Sequence, residues 1–200
     1  MAASVTSYDQ DIFTASGLFS PEECSELIAK GEAIGFEAIG FEAASVTTAS
    51  GPQMMTNIRN NDRVIMEDPE FARSVWERVG GMVPQEMEGC HARGLNERFR
   101  FYRYDPGQRF KRHVDGSVET ANGDKSRLTF LIYLNDGYEG GETIFSDYTF
   151  EDGKAVVHET KVAATLGMGL FFADARKHEG APVTYGRKYV LRTDVMYENV

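Results

Sequence analysis

The segment RHVDG at residues 112–116 contains a histidine and an aspartate two positions apart. If this segment forms a β-strand, its side chains i and i+2 share a face, so His113 and Asp115 could bind one metal ion together. The motif alone is weak evidence, because a chain with four histidines and twelve aspartates often contains such a pair by chance. A metal site therefore needs a third ligand from another part of the chain.

His178 is the best candidate for that ligand, because it follows the apolar segment GLFFAD and opens the turn before the last predicted strand. Two histidines and one carboxylate would occupy one face of an octahedral metal and leave three positions open, as in non-haem Fe(II) oxygenases. Cys24 and Cys90 lack the spacing of a closed structural zinc site, and we expect both to be reduced packing residues. The sequence thus indicates an open metal site.

Lys188 follows His178 by ten positions, at the start of the segment KYVLRTDVMY. A cation on this strand could bind the far carboxylate of a dicarboxylic cosubstrate, although a surface lysine at a strand start would look the same. Arg187 and Arg192 compete for this role. Strand alternation places Arg187 on the opposite face and Arg192 on the Lys188 face.

Two amphipathic helices are predicted in the first half of the chain. Ser20, Pro21 and Glu23 form a capping box with proline at the first helical position. Asp68 and Pro69 begin the second helix in a similar way, and a Gly-Gly pair ends it. The polar, turn-rich residues 45–63 between the helices predict a long loop or irregular hairpin, and loops of that length are often functional.

After residue 96 the sequence changes to short apolar or alternating runs separated by Gly, Asp and Asn, which indicates six or seven strands. We therefore predict one α+β domain over residues 1–200, with a mainly helical support region and loop at 1–96. Residues 97–200 would form a jelly-roll core of antiparallel strands, that is, a double-stranded β-helix. The predicted strands lie near ERFRFYRYD, QRFKRHVD, RLTFLIYLN, GETIFS, AVVHETKVAAT, GLFFAD and KYVLRTDVMYE.

The composition excludes several classes of protein. A hydrophobic content of 42% is typical of a globular chain, and the net charge of −10 disfavours a nucleic-acid backbone as the main partner. No apolar run is long enough to cross a bilayer, and the N-terminus lacks the order of a signal peptide. We therefore expect a cytoplasmic protein with no membrane or nucleic-acid partner.

From about residue 97 to the end, the chain resembles the 2-oxoglutarate/Fe(II)-dependent dioxygenases of the prolyl 4-hydroxylase-like branch. The segments FYRYDPGQRFKRHVDG, RLTFLIYLND, GGETIF and KHEGAPVTYGRKYVLRTDVMY match in that order. The resemblance implies that iron binds His113, Asp115 and His178, and that Lys188 pairs with the C5 carboxylate of 2-oxoglutarate. It also implies cosubstrate contacts from Tyr104, Thr129 and Tyr133, with Thr143 as a weaker candidate.

The same resemblance implies the cofactors Fe(II), 2-oxoglutarate and O2, with ascorbate as a candidate reductant. The expected reaction hydroxylates an unactivated C–H bond and releases succinate and CO2. A prolyl residue of a peptide or protein is the first choice of substrate, and a free amino acid or small metabolite is the alternative. Arg59 and Arg63, in the 45–63 segment, are candidate substrate contacts.

Two hypotheses from other classes remain open from the sequence. A non-catalytic, cupin-type jelly-roll module could bind a small acid without oxidising it. A different metal enzyme, such as an isomerase or hydrolase that uses zinc or manganese, could occupy the same scaffold.

Overall fold

The computed structural model describes residues 4–35, 45–48, 51–54 and 59–199, and these form two helices and seventeen strands. The helices are α1 (Pro21–Ile34) and α2 (Pro69–Val79). The strands before residue 97 are β1 (Ser4–Asp9), β2 (Ile12–Ser16), β3 (Ser45–Thr48), β4 (Gly51–Met54), β5 (Asp62–Glu67), β6 (Glu86–Met87) and β7 (Cys90–Leu95). The later strands are β8 (Arg98–Tyr104), β9 (Phe110–His113), β10 (Lys125–Tyr133), β11 (Glu139–Gly140), β12 (Thr143–Glu151), β13 (Lys154–Val162), β14 (Gly169–Ala173), β15 (His178–Gly180), β16 (Val183–Tyr185) and β17 (Lys188–Asn199).

Both helices begin at the residues that the sequence predicts. The Ser20 hydroxyl accepts a hydrogen bond from the Glu23 amide at 3.2 Å, and the Glu23 carboxylate accepts one from the Ser20 amide at 2.8 Å. This is the predicted capping box. The Asp68 carboxylate accepts from the Phe71 amide at 2.9 Å and so caps α2.

The strands form two main antiparallel sheets. The larger has nine strands, in the order β1-β2-β14-β10-β17-β7-β6, with β8 paired to both β17 and β5. The smaller has four strands, in the order β13-β12-β15-β9, and two further two-stranded sheets pair β3 with β4 and β11 with β16. This is the α+β fold with a double-stranded β-helix core that the sequence predicts.

The larger sheet is covered on both faces, and β10 shows how the faces differ. Leu128, Phe130 and Ile132 belong to the apolar cluster that also contains residues of α1 and α2. Leu131 and Tyr133, which alternate with them, belong to a second cluster that includes residues of the smaller sheet. The helices therefore pack on the outer face of the larger sheet, and the inner face points towards the smaller sheet. The pocket that contains the functional side chains lies between this inner face and the smaller sheet.

The expectation of a mainly helical region at 1–96 is wrong. The described part of this region contains α1 and α2 but also seven strands, five of which extend the larger sheet. Short strands such as β2 and β5 pair with β14 and β8, which lie far away in sequence. Their stability comes from these distant partners, so local patterns underestimate them.

The predicted loop or irregular hairpin at 45–63 contains an antiparallel hairpin of β3 and β4. Residues 49–50 and 55–58 lie outside the described residues, and β5 already begins at Asp62. Cys24 and Cys90 are buried and free, as expected. Neither described helix has the length and apolar character that a membrane span requires.

The connection before β14 makes a tight contact that only glycine allows. Gly167 has a φ of +71°, its carbonyl accepts hydrogen bonds from the amides of Leu18 and Phe19, and an added Cβ would lie 2.1 Å from the Phe19 carbonyl oxygen. Gly153 has a similar φ of +75° but has open space around the Cβ position.

We predict that Gly153→Ala lowers the free energy of unfolding by about 1–2 kcal/mol. The cost arises only because alanine disfavours the left-handed backbone conformation at this position. Gly167→Ala should cost at least about 3 kcal/mol, because backbone atoms must also move. Urea denaturation of the two variants measures this difference. Equal losses would show that the contact with Phe19 is unimportant.

Candidate metal and cosubstrate site

Three potential metal ligands meet between the strands of the smaller sheet. His113 is the last residue of β9 and His178 is the first residue of β15, and the two are directly paired across the antiparallel ladder. Asp115 lies two residues beyond the end of β9, so the expectation that both ligands of the H-x-D pair lie on one strand needs correction. The chain leaves the sheet at His113, and Asp115 is held by contacts to other strands.

Both imidazoles are oriented by the same backbone interaction. The Nδ1 of His113 hydrogen bonds to the carbonyl of Lys111 at 2.8 Å, and the Nδ1 of His178 bonds to the carbonyl of Arg176 at 2.9 Å. Because a carbonyl oxygen can only accept, each Nδ1 carries the proton and each Nε2 keeps its lone pair. Both Nε2 atoms are therefore available as ligands.

The ligand atoms of His113, Asp115 and His178 all lie within 4.8 Å of one another. The Asp115 oxygens are 3.5 Å from the His113 Nε2 and 3.6 Å from the His178 Nε2. The Nε2 of His113 is buried and has no hydrogen-bond partner, which leaves an unsatisfied acceptor directed at this space. Two neutral imidazoles and one carboxylate are a donor set that suits Fe(II). The residues therefore fit the metal.

The ionisation of the site favours metal binding. Burial lowers the pKa of His178 to about 4, against the opposing effect of Asp115, so the imidazole is neutral at physiological pH. Burial alone would raise the pKa of Asp115, but the guanidinium of Arg192 and the two histidines outweigh it and hold that pKa well below its usual range. Neither His178 nor Asp115 has to lose a proton before a cation binds.

Asp115 is held from both sides by residues of the larger sheet. Its Oδ1 accepts a hydrogen bond from Arg192 Nη1 at 2.7 Å, and its Oδ2 accepts one from the Thr129 hydroxyl at 2.8 Å. The Arg192 guanidinium also donates to Asp194 at 3.1 Å, and the Thr129 hydroxyl lies 3.2 Å from Asp174. Thr129, expected from the resemblance to contact the cosubstrate, donates its hydrogen bond to the metal-facing carboxylate, and its contact with the cosubstrate stays a prediction.

Lys188 lies in the same pocket as the three ligands. The pocket is lined by Tyr102, Tyr104, Phe110, His113, Asp115, Leu131, Thr143, His178, Gly180, Lys188, Val190 and Arg192. Lys188 is only 4% exposed, and its ammonium donates a hydrogen bond to the carbonyl of Gly141 at 2.5 Å. Among the described residues, no carboxylate forms an ion pair with it. A buried cation without a counter-ion suits an anionic ligand.

Aromatic rings surround the Lys188 ammonium. Its Nζ lies 5.1 Å from the ring centroid of Tyr133, 5.5 Å from that of Tyr104 and 5.9 Å from that of Tyr138. The hydroxyls of Tyr133 and Thr143 lie 2.7 Å apart. The expected cosubstrate residues Tyr104, Tyr133 and Thr143 are thus gathered at the Lys188 end of the pocket.

The two arginines that compete with Lys188 are engaged elsewhere. Arg187 pairs with Asp105 at 2.6 Å near the surface and does not line the pocket. Arg192 lines the pocket, but it is paired with Asp115 and Asp194. Lys188 is therefore the cation in the pocket wall that has no anionic partner among the described residues.

The two candidate substrate residues have different positions. Arg59 is 4% exposed, and its guanidinium carbon lies 4.3 Å from the ring centroid of Tyr102 and 4.7 Å from that of Phe110. Arg63 is half-buried on β5 opposite Tyr102 and is not among the lining residues. Neither arginine is among the residues that line the pocket, although Arg59 packs against two residues that do, Tyr102 and Phe110.

Sequence reasoning missed several aromatic residues of the site, and two of them, Phe110 and Tyr102, line the pocket. Phe110 stacks on the His113 imidazole, with 3.4 Å between the ring centroids. Tyr102 lines the pocket two residues before Tyr104, so strand alternation from Tyr104 could have found it. Burial would raise the pKa of Tyr102, but Arg59, Arg192 and Arg100 outweigh it and lower that pKa.

Comparison with known proteins gives the class of the molecule. Residues 99–193 match the model of the 2OG-Fe(II) oxygenase superfamily. The matched segment runs from β8 into β17 and includes His113, Asp115, His178 and Lys188. This match supports the resemblance to 2OG-Fe(II) oxygenases of the prolyl 4-hydroxylase-like kind.

The similar proteins agree on this branch. The chain is 28% identical to probable prolyl 4-hydroxylase 3 of Arabidopsis thaliana over 70% of its own length and 47% of that protein. It is 37% identical to a PKHD-type hydroxylase of Stenotrophomonas maltophilia over 44% of its length and 38% of that protein. The chain therefore spans less than half the length of these two relatives.

A solved structure supports the fold across most of the chain. A prolyl hydroxylase of Trichoplax adhaerens, in complex with a peptide fragment of the hypoxia inducible factor oxygen degradation domain, superimposes with a TM-score of 0.66 at 15% identity. The match covers 94% of this chain and 84% of the other. The family match and the relatives support the predicted enzyme class, in which Fe(II), 2-oxoglutarate and O2 are the cofactors.

Because Thr129 bonds Asp115, its contribution to metal binding can be tested against that of Thr143, which lies near Lys188. Thr129→Val keeps the shape but removes the hydrogen bond to Asp115, so the affinity for Mn(II) should fall by about ten- to a hundredfold. Thr143→Val, which removes a hydroxyl near Lys188, should leave Mn(II) affinity unchanged. Calorimetric titration of both variants checks this, and equal Mn(II) affinities for them would contradict the assignment.

Proposed function

We propose that this protein is an Fe(II)- and 2-oxoglutarate-dependent dioxygenase that hydroxylates an unactivated C–H bond, with a prolyl group as the substrate. One atom of O2 would enter succinate and the other the new hydroxyl group, and CO2 would be released. The observation behind the proposal is that one pocket is lined by an open His-Asp-His triad and by a buried lysine that forms no ion pair with any carboxylate of the described residues.

The triad would hold the metal through the Nε2 atoms of His113 and His178 and one oxygen of Asp115. Bound Fe(II) would supply the one-electron and O2 chemistry that no protein side chain can provide. The chain itself orients the ligands. Two backbone carbonyls hold the imidazoles, while Thr129 and Arg192 hold the carboxylate.

Apolar rings around the triad keep water away from the reacting centre. Phe110 covers one face of His113, and the centroid of Phe172 lies 4.5 Å from that of the His178 ring. Phe145 closes the same side, 5.9 Å from His178. A dry site strengthens the electrostatic interactions inside it and protects reactive species from side reactions.

Lys188 would bind the C5 carboxylate of 2-oxoglutarate in this pocket. The ammonium is already desolvated by the rings of Tyr104, Tyr133 and Tyr138, so an incoming carboxylate replaces no strong hydration shell. Acids that lack the second carboxylate would leave the cation unpaired, which gives selectivity for a dicarboxylic cosubstrate. Tyr133 and Thr143 would add polar contacts.

The choice of a prolyl substrate rests on the similar proteins. Both the Arabidopsis relative and the Trichoplax structure bear the name of a prolyl hydroxylase, and the latter was solved with a peptide. A free amino acid is the second candidate, because a buried arginine stands beside the pocket. A cytoplasmic location remains a prediction from the sequence.

The first test separates an oxygenase from a non-catalytic binding module. Incubated with Fe(II), 2-oxoglutarate and O2, the protein should form succinate even without a prime substrate, and His113→Ala should reduce this to background. His91→Ala is the control, because His91 is exposed on β7. Succinate is measured by NMR. No succinate from the wild type, or a metal content of His113→Ala equal to that of the wild type, would refute the proposal.

The second test uses the unusual ionisation of Lys188. Burial lowers the pKa of Lys188 to about 8, and Glu142 opposes this only in part. Burial also raises the pKa values of the facing Tyr104, Tyr133 and Tyr138, so none of these phenols ionises in the same range. Above pH 8 the free protein therefore loses the Lys188 proton, while the cosubstrate requires the charged form.

We expect the dissociation constant for 2-oxoglutarate in the Mn(II)-loaded protein to rise about tenfold per pH unit above pH 8. Lys188→Arg keeps its charge throughout this range and should show a flat profile. Calorimetry from pH 7 upwards compares the two proteins, and any titration of the metal is common to both. Parallel profiles would exclude Lys188 as the group that binds the carboxylate.

A further inference from the structure

Three buried carboxyl groups lie together at the candidate metal site. Asp115, Asp174 and Asp194 are 8%, 7% and 0% exposed. Arg192 forms ion pairs with Asp115 and Asp194, and Arg100 also pairs with Asp194. Within the described part of the chain, Asp174 forms no ion pair. The cluster therefore holds three acidic groups but only two paired cations.

The side-chain contacts of Asp174, which directly follows β14, are neutral hydroxyl groups. Its Oδ2 accepts a hydrogen bond from the Ser126 hydroxyl at 2.5 Å, and its Oδ1 lies 3.2 Å from the Thr129 hydroxyl oxygen. Hydroxyl groups offset only part of the cost of burying a full charge. Asp174 is therefore the member of the cluster whose ionised form is least supported by its neighbours.

The Thr129 hydroxyl lies between two carboxyl groups. Its oxygen is 2.8 Å from the Oδ2 of Asp115 and 3.2 Å from the Oδ1 of Asp174. A hydroxyl group has one proton, so it can donate to only one of them. When it donates to Asp115, which is closer, the second contact is a hydrogen bond only if Asp174 carries a proton and donates it to the Thr129 oxygen. The geometry thus favours a neutral Asp174 beside an ionised Asp115.

The surroundings of Asp174 favour the same protonation state. Burial raises the pKa of this carboxyl group to about 6, and the hydrogen bond from Ser126 opposes the increase only in part. The charged side chains that face Asp174 are Asp115, Asp194, Arg192 and Arg127. The two carboxylates raise the pKa of Asp174 further, whereas Arg192 lowers it. Asp174 therefore changes its charge in mildly acidic solution.

We propose that Asp174 is a charge-compensating residue of the metal site, which is neutral in the metal-free protein in mildly acidic solution and loses its proton to solvent when a divalent metal binds. The inference rests on the metal site of the proposed function. Asp115, the anionic member of the triad, already shares its charge with Arg192, so a divalent cation bound there retains excess positive charge. An ionised Asp174 offsets this excess without being a ligand itself.

Counting the protons that leave on metal binding tests the inference. Mn(II) is titrated by calorimetry into the protein in buffers of different ionisation enthalpy, which gives the number of protons released per metal. At pH 6 the wild type should release about half a proton more than Asp174→Asn, and at pH 7.5 this difference should vanish because Asp174 is already ionised. Asparagine keeps the shape of the neutral acid, and release from other groups is common to both proteins.

The Mn(II) affinities from the same titrations distinguish charge compensation from a purely structural role. At pH 7.5, Asp174→Asn should bind Mn(II) about tenfold more weakly than the wild type, because a nearby negative charge is absent. The gap should narrow as the pH falls below 6, where the wild-type group is neutral as well. A purely structural defect would weaken binding by one factor at every pH, and that result would contradict the inference.

Two further variants complete the experiment. Asp11→Asn is the matched control, because burial also raises the pKa of Asp11 but Arg176 is its charge partner. This variant should release as many protons as the wild type. Ser126→Ala removes the hydrogen bond that lowers the pKa of Asp174, so the proton release should move to higher pH.

Equal proton release by the wild type and Asp174→Asn at pH 6 would overturn the inference. If Asp174→Asn does not fold, Ser126→Ala decides, and an unchanged pH profile of proton release in that variant would be equally decisive against it. Failure of the wild type to bind Mn(II) would instead refute the metal site of the proposed function, on which the inference rests.

Discussion

The site depends on one buried carboxylate that must stay ionised and correctly oriented. Asp115 is almost fully buried and lies outside any strand, so no backbone ladder holds it. Its two oxygens are held by Arg192 from β17 and Thr129 from β10, two central strands of the larger sheet. A buried carboxylate without such partners would become neutral, and a neutral carboxyl group is a poor metal ligand. Residues of the larger sheet thus keep Asp115 ionised and oriented, although Asp115 follows a strand of the smaller sheet.

This constraint explains why the two sheets contribute different residues to the site. The smaller sheet brings His113 and His178 together as a pair across one ladder. The larger sheet contributes Thr129, Lys188 and Arg192 from alternate positions that face inward. Because β10 and β17 also pack their other faces against the helices, these inward residues are held by a rigid support. α1 and α2 therefore help to fix the positions of the inward-facing residues, although none of the three candidate ligands lies on either helix.

Charge is distributed along the pocket in a definite order. Lys188 forms no ion pair with a carboxylate of the described residues, whereas Arg192 is neutralised by Asp115 and Asp194. The cation without an ion pair suits an incoming anionic group, and the paired one holds a candidate metal ligand. The pocket therefore offers a position for a dicarboxylic cosubstrate apart from the cation that orients Asp115.

The sequence by itself indicated both helices, seven of the ten strands after residue 97 and the candidate ligands, because caps, alternation and spacing are local patterns that can be read in one chain. It did not indicate β2 or β5, since these strands depend on partners that are distant in sequence. Nor could it distinguish Thr129, which holds Asp115, from Tyr133, which lies beside Lys188, because both face inward on β10. The burial of Arg59 against Tyr102 and Phe110 likewise follows only from the tertiary structure, since it is a property of packing.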